Sequence, residues 1–195
     1  TTALLQDDGS YVIEGAKSMV AFGPEAKLLL VFADTVQAGA QCFLVSGDTA
    51  GISFDREDYM GLRPLPLYAM TLDKVAVPAS ARLGAGFDLK RTLSLSRVAT
   101  AALAVGTCQA VLDYVIPYVN ERVAFGEPIS NRQAVAFMVA DMATEIEGLR
   151  LMVYRAAAQA EQGLDCTRSA FLAHRNAVKY GMKIGTDGVQ LLGGH

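Results

Sequence analysis

Apolar positions follow two rhythms along the 195 residues of this chain. From Tyr11 to about Pro78, short apolar runs alternate with turn residues: Tyr11-Val12-Ile13 before Glu14-Gly15, Leu28 to Phe32, and Cys42 to Val45 before Ser46-Gly47-Asp48. Such runs, bounded by Gly, Asp and Ser at intervals of about ten residues, predict a small antiparallel β-barrel or sandwich. Leu72 to Val77 predicts a last strand, stopped by Pro78, which has no amide to continue a ladder. Asp7-Asp8-Gly9 predicts a hairpin turn.

After Gly84-Ala85-Gly86 the period becomes helical and holds to Leu192, with breaks around Phe125 to Ile129 and Gln162 to Thr167. Three long helices follow from this. The first covers about Phe87 to Arg122 and contains Pro117, which is expected to kink it or stop it early. The second begins near Ser130, whose hydroxyl can cap free amides, and ends near Gly163, which supplies a left-handed terminal residue. The third covers about Thr167 to Leu192. The alanine-rich run Ala99 to Gly106 allows close helix approach, so this half reads as an up-down bundle. Three helices form an incomplete wall, which implies a fourth helix or another subunit. The fold class is α+β, with a β domain over 1–84 and a helical domain over 85–195.

Composition removes several functions. A net charge of −3 with 19% charged residues offers no clustered basic face for nucleic acid. Cys42, Cys108 and Cys166 are odd in number and form no Cys-x-x-Cys pair, so neither a disulfide framework nor a zinc site is indicated, and a reducing, cytoplasmic compartment fits. No signal peptide is visible, and no run of about 18 apolar residues indicates a membrane span. His174 and His195 are too few and too separate for a histidine metal site or a triad.

One motif carries chemistry. Arg122-Val123-Ala124-Phe125-Gly126, followed by Gln133 and later by Gln190-Leu191-Leu192-Gly193-Gly194, points to a nucleotide cofactor. Arginine offers a cationic fork for a diphosphate, phenylalanine an aromatic face, and glycine a close backbone approach. Asp141, Glu145, Glu147 and Arg150 sit at helical spacing, with Glu147 and Arg150 at i, i+3, and read as a solvated or interface face rather than a catalytic pair.

These motifs together, with Arg97 and Ala140-Asp141-Met142, resemble the acyl-CoA dehydrogenases over nearly the whole chain. Thr1-Thr2-Ala3 is similar to the entry of that family's middle β domain, Glu14-Gly15-Ala16-Lys17 to its Asn-Gly-x-Lys strand, and Val75-Ala76-Val77-Pro78 to its closing Val-x-Val-Pro. The resemblance implies an FAD flavoprotein that oxidises the Cα–Cβ bond of an acyl-CoA thioester, with an electron-transfer flavoprotein as a possible acceptor. It implies that Arg122, Phe125 and Gln133 meet the adenosine diphosphate part of FAD, and that Gln190, Gly193 and Gly194 line the adenine and pyrophosphate region, across the interface of a homo- or hetero-oligomer, dimer or tetramer.

Departures from the family pattern are also visible. The resemblance implies an N-terminal helical domain and a flavin-binding segment ahead of Thr1, a fourth helix, and a catalytic glutamate in a Glu-Gly pair beyond His195. Some members carry the glutamate directly before the arginine matching Arg97, but Ser96 stands there, so no catalytic residue is assigned. Met19 and Ala21 replace the usual aromatic and Thr or Ser at the isoalloxazine, and read either as degraded ring contacts or as plain strand residues. Arg97 reads as an active-site or CoA-pocket arginine or as a helix-surface ion pair, with Leu93 and Ser94 lining an acyl or pantetheine channel. Three readings follow: a dehydrogenase, a non-catalytic partner subunit that completes a neighbour's FAD site, and a module that binds CoA thioesters without redox chemistry.

Overall fold

The computed structural model describes residues 1–194 apart from Gln37, Leu62 and Ala85. Ala85 of the Gly-Ala-Gly punctuation and His195 therefore lie outside the described residues. The chain divides into two compact units, Thr1–Leu89 and Lys90–His195.

The first unit is a six-stranded sheet of β1 (Thr2–Leu5), β2 (Tyr11–Ala21), β3 (Leu28–Thr35), β4 (Gly39–Ser46), β5 (Ile52–Glu57) and β6 (Leu67–Val77), in the order β4-β3-β1-β2-β6-β5. The expected small β domain is present, but as a mixed, open sheet: β1 and β3 run parallel, and among the described residues no pairing joins β4 to β5. Alternation explains the inner face. Along β3, Leu29, Val31, Ala33 and Thr35 are buried while the residues between them are exposed or half-buried. Leu29, Val31 and Ala33 join Ile13, Phe43, Leu72 and Val75 in one core, and the Tyr11 ring meets Phe43 edge-on at 5.1 Å. The Asp7-Asp8-Gly9 turn forms as expected, with Gly9 at φ 84. Gly15 is required by a close approach, since a Cβ there would lie 2.7 Å from the Thr1 Cα.

Two strands differ from expectation. β5 carries Asp55, Arg56 and Glu57 on an edge, so its polar sequence reads as loop until β6 pairs with it. β2 continues beyond Ile13 to Ala21 through bulges after Ile13 and Lys17, which break the period-two pattern.

The second unit holds α1 (Leu89–Glu121), a two-residue-turn hairpin of β7 (Val123–Ala124) and β8 (Glu127–Pro128), α2 (Gln133–Glu161) and α3 (Thr167–Leu192). Buried positions on α2 run Met142, Ile146, Leu149, Val153, Ala156, Ala160, an alternation of three and four that packs helices side by side. Small residues permit close contact: a Cβ on Gly188 of α3 would meet Val111 Cγ1 of α1 at 2.6 Å. α1 continues through Pro117, which lies on its exposed side while Val115 and Val119 are buried in the core. α1 is also long and apolar enough to cross a membrane, with a mean hydropathy of 1.5 over 18 residues, which polar interruptions such as Thr100 and Thr107 hide from a search for unbroken apolar runs. α2 begins three residues after the expected Ser130, which sits in a 3-10 turn, because Ile129 first donates its amide to the Arg122 carbonyl to close the hairpin. Gly163 has the expected left-handed backbone, φ 73, just beyond α2.

Candidate functional site

The hairpin between α1 and α2 turns on Phe125 and Gly126, at φ 55 and φ 88. Two positive φ values define the tight turn that suits right-twisted strands, a turn that favours Asn-Gly rather than Phe-Gly. The Phe125 ring is nonetheless 94% exposed. It is held from one side by Arg132, whose guanidinium lies 5.1 Å from the ring centroid and donates to the Ala124 carbonyl at 3.2 Å. Arg132 is the residue before Gln133, the first residue of α2, and it supplies no side-chain cap to that helix.

The end of α3 comes alongside. The Tyr118 hydroxyl of α1 donates to the Leu192 carbonyl at 3.0 Å, and Gly193, at φ 70, turns the chain out of the helix. This brings Gln190 and Leu191 to a groove of about 360 Å³ shared with Phe125, Ile129, Arg132 and Val135. Among the described residues, Arg132 is the one ionisable side chain lining it. Of the residues singled out in the sequence, Phe125 and Gln190 meet here. Arg122 is exposed at the foot of the hairpin, Gln133 is exposed at the start of α2, and Gly193 and Gly194 are exposed just past α3.

The β unit carries a second strained site. Met19 is 59% exposed at φ 59 within the second bulge of β2, and Phe22, just beyond the strand, is exposed at φ 51. The Met19 amide donates to Glu57 at 2.8 Å, and the Ser18 hydroxyl lies 3.0 Å from both Glu57 oxygens. These bonds, that of the Met19 amide foremost, hold the Glu57 carboxyl below its ordinary range. Ala21 ends β2 exposed, opposite Leu67, and offers no donor.

On α1, Leu93 and Ser96 are exposed and Arg97 is half-buried, with its guanidinium 5.8 Å from the Phe171 ring centroid. Ser94 is fully buried, donates to the Lys90 carbonyl at 2.7 Å and lies 3.4 Å from Thr167 Oγ1. Its position one heptad before buried Ala101 explains this inward phase. Glu147 and Arg150 form the expected i, i+3 pair at 3.3 Å, while Glu145 and Asp187 both face Lys183, at 3.5 and 2.8 Å.

Sequence reasoning missed Arg132 and Glu57. Arg132 carried a signal, a second arginine adjoining Gln133. Glu57 carried none, since its partners lie across the sheet.

The model of the acyl-CoA dehydrogenase middle domain matches residues 1–75, and that of the acyl-CoA dehydrogenase C-terminal domain matches residues 84–195. The chain belongs to the acyl-CoA dehydrogenase family. The structure of butyryl-CoA dehydrogenase from Megasphaera elsdenii is similar over 100% of this chain and 53% of its own, at 34% identity and a TM-score of 0.88. A structure described as an FAD-dependent dehydrogenase is 31% identical, with a TM-score of 0.89 over 98% of this chain and 54% of its own. The caffeyl-CoA reductase-Etf complex subunit CarC of Acetobacterium woodii is 32% identical over 204 residues, 100% of this chain and 54% of that subunit. This chain thus spans about half the length of the curated relatives it matches, 53% for the short-chain acyl-CoA dehydrogenase of M. elsdenii.

Proposed function

We propose that these residues form the middle domain (1–84) and helical C-terminal domain (85–195) of an FAD-dependent acyl-CoA dehydrogenase that removes hydrogen across the Cα–Cβ bond of an acyl thioester. The observation that carries the reading is the hairpin groove, where an exposed ring at a strained turn, a guanidinium and a carboxamide converge on an otherwise apolar surface. That donor set suits the nucleotide end of FAD: a planar base stacks on an aromatic face, and a diphosphate takes charge-assisted bonds from arginine. Arg122 binds the diphosphate, Phe125 and Gln190 orient the adenosine, Gln133 adds a donor at the start of α2, and Gly193 and Gly194 let the backbone come close. FAD bound there supplies the acceptor for the β-hydride.

On the β unit, Met19 offers a polarizable thioether to the flavin ring, while Ala21 leaves one hydrogen bond unmade. Arg97 and Leu93 face the acyl-CoA side. None of Leu93, Ser94, Ser96 and Arg97 can take an α-proton near neutral pH, so the base is assigned to none of them. An electron-transfer flavoprotein is the electron acceptor in this reading, in line with the Etf complex of the Acetobacterium relative. The open trough of about 810 Å³ along Ala99, Leu103, Gly106 and Ala110 of α1 supports a homo- or hetero-oligomer, or a further helix, covering that face.

Met19, Ala21 and Ser96 favour a second reading, a partner subunit that lends the groove to a catalytic neighbour. The full gene product distinguishes the two. As purified it should be yellow, and it should bleach when a saturated acyl-CoA is added without oxygen; flavin that appears only on co-expression with a partner selects the second reading. Arg122→Ala should weaken FAD retention by about tenfold or more, the worth of one or two charge-assisted bonds, and undiminished retention removes the nucleotide assignment from both readings.

A further inference from the structure

We propose that Arg132 is the positioning residue of the nucleotide groove: it holds the Phe125 ring as a stacking surface and supplies the charge that selects a ligand carrying an adenosine diphosphate. The inference rests on the nucleotide reading above and deepens it.

The fold does not require this pair. Phenylalanine is poorly suited to the first left-handed position of the hairpin, where asparagine or glycine relieves the strain, and a ring with 94% of its surface exposed gains little from burial. An unfavourable residue kept in an unfavourable conformation marks a functional contact when a partner fixes it. Arg132 is that partner. One guanidinium both overlies the ring and bonds the carbonyl of Ala124, so ring and strand are tied to the start of α2 by a single rigid plane.

Charge argues the same way. Among the described residues Arg132 meets no carboxylate, and no acidic side chain lines the groove. Its backbone stands at the positive end of α2, a helix of 29 residues. The walls are apolar: Ile129, Val135, Met138 and Leu191. An apolar slot with one cation, one carboxamide and one exposed aromatic face suits a planar base joined to an anion. A lysine at this position would keep the charge but lose the planar stack and the fixed fork.

The test uses apoprotein of the full gene product, titrated with FAD, ADP and FMN, and the variants R132Q, R132K and R122A. Arg132→Gln should weaken FAD and ADP by the same factor, about tenfold, and leave FMN within twofold. Arg132→Lys should recover only part of the loss. FAD affinity of R132Q within twofold of the unaltered protein overturns the proposal. So does a loss that FMN shares, which marks general structural damage, and so does wild-type affinity in R132K, which removes the positioning role. If R122A binds FAD and ADP normally, the nucleotide reading itself fails; if R122A loses them while R132Q does not, only the role of Arg132 fails.

Discussion

Phe125 and Met19 are both exposed, both large, and both held with left-handed backbone, at φ 55 and φ 59, yet they are fixed in opposite ways. Phe125 sits on a local turn, and a cation holds its side chain against the hairpin. Met19 sits in a bulge of a long strand, and an anion from β5 holds its backbone amide while the residue stays exposed. Of the ligand-type residues predicted from the sequence, Gln190 shares the groove with Phe125. Around Met19 the family's usual hydroxyl is gone, replaced by Ala21. The difference separates a ring held by a cation from a backbone amide held by an anion.

The largest expected effect strikes the helical side of the comparison. Gly188 lets α3 settle against Val111, which carries Gln190 to the groove. Gly188→Val should destabilise the helical unit by about 3 kcal/mol through overpacking and weaken FAD retention with it, while the β unit keeps its own unfolding transition. Gly181→Ala is the control, because a Cβ there meets nothing within 4 Å, and should be neutral or stabilising by up to about 1 kcal/mol. Denaturant unfolding of both proteins decides it; equal behaviour shows that close packing at Gly188 is not what shapes this end of α3.

A smaller effect belongs to the flavin side. Ala21→Thr restores a hydroxyl at a strand position that threonine suits, and one new hydrogen bond of about 1 kcal/mol tightens FAD about fivefold. The flavin absorption band should shift as the ring gains a donor. An unchanged affinity and spectrum show that Ala21 does not face a flavin, and the contrast with the Phe125 groove then becomes one between a ligand site and a purely structural bulge.

How much of this was legible beforehand depends on the range of the interactions involved. The third helix, the left-handed Gly163 and the Asp7-Asp8-Gly9 turn are set by nearest neighbours and by three-four spacing, and the structure follows them. The start of α2 was misread at Ser130 because pairing of Ile129 with Arg122 competes with helix capping, and pairing wins. The burial of Ser94 was legible in its heptad phase, one heptad before buried Ala101. β5 was not legible because a polar edge strand acquires its meaning only from its pairing with β6, and the Glu57 clamp was not because Ser18 and Glu57 are 39 residues apart.

Acid gives the finest test of the comparison. The Glu57 carboxyl is held below its ordinary value mainly by the Met19 amide, with the Ser18 and Tyr59 hydroxyls adding to it. A lowered folded-state value means that the clamp's contribution is fully present above the unfolded glutamate value of about 4.3 and is lost as pH falls through the lower folded value. Hydrogen exchange measured from pH 6 down to pH 3, after correction for intrinsic rates, should therefore show the Met19 amide losing protection while Ile129, bonded to the Arg122 carbonyl, keeps it. Glu57→Gln should flatten the Met19 profile. If both amides lose protection together, or if Met19 behaves the same in E57Q, then the bulge is not pinned by its carboxylate, and the two left-handed residues do not differ in the way their partners imply.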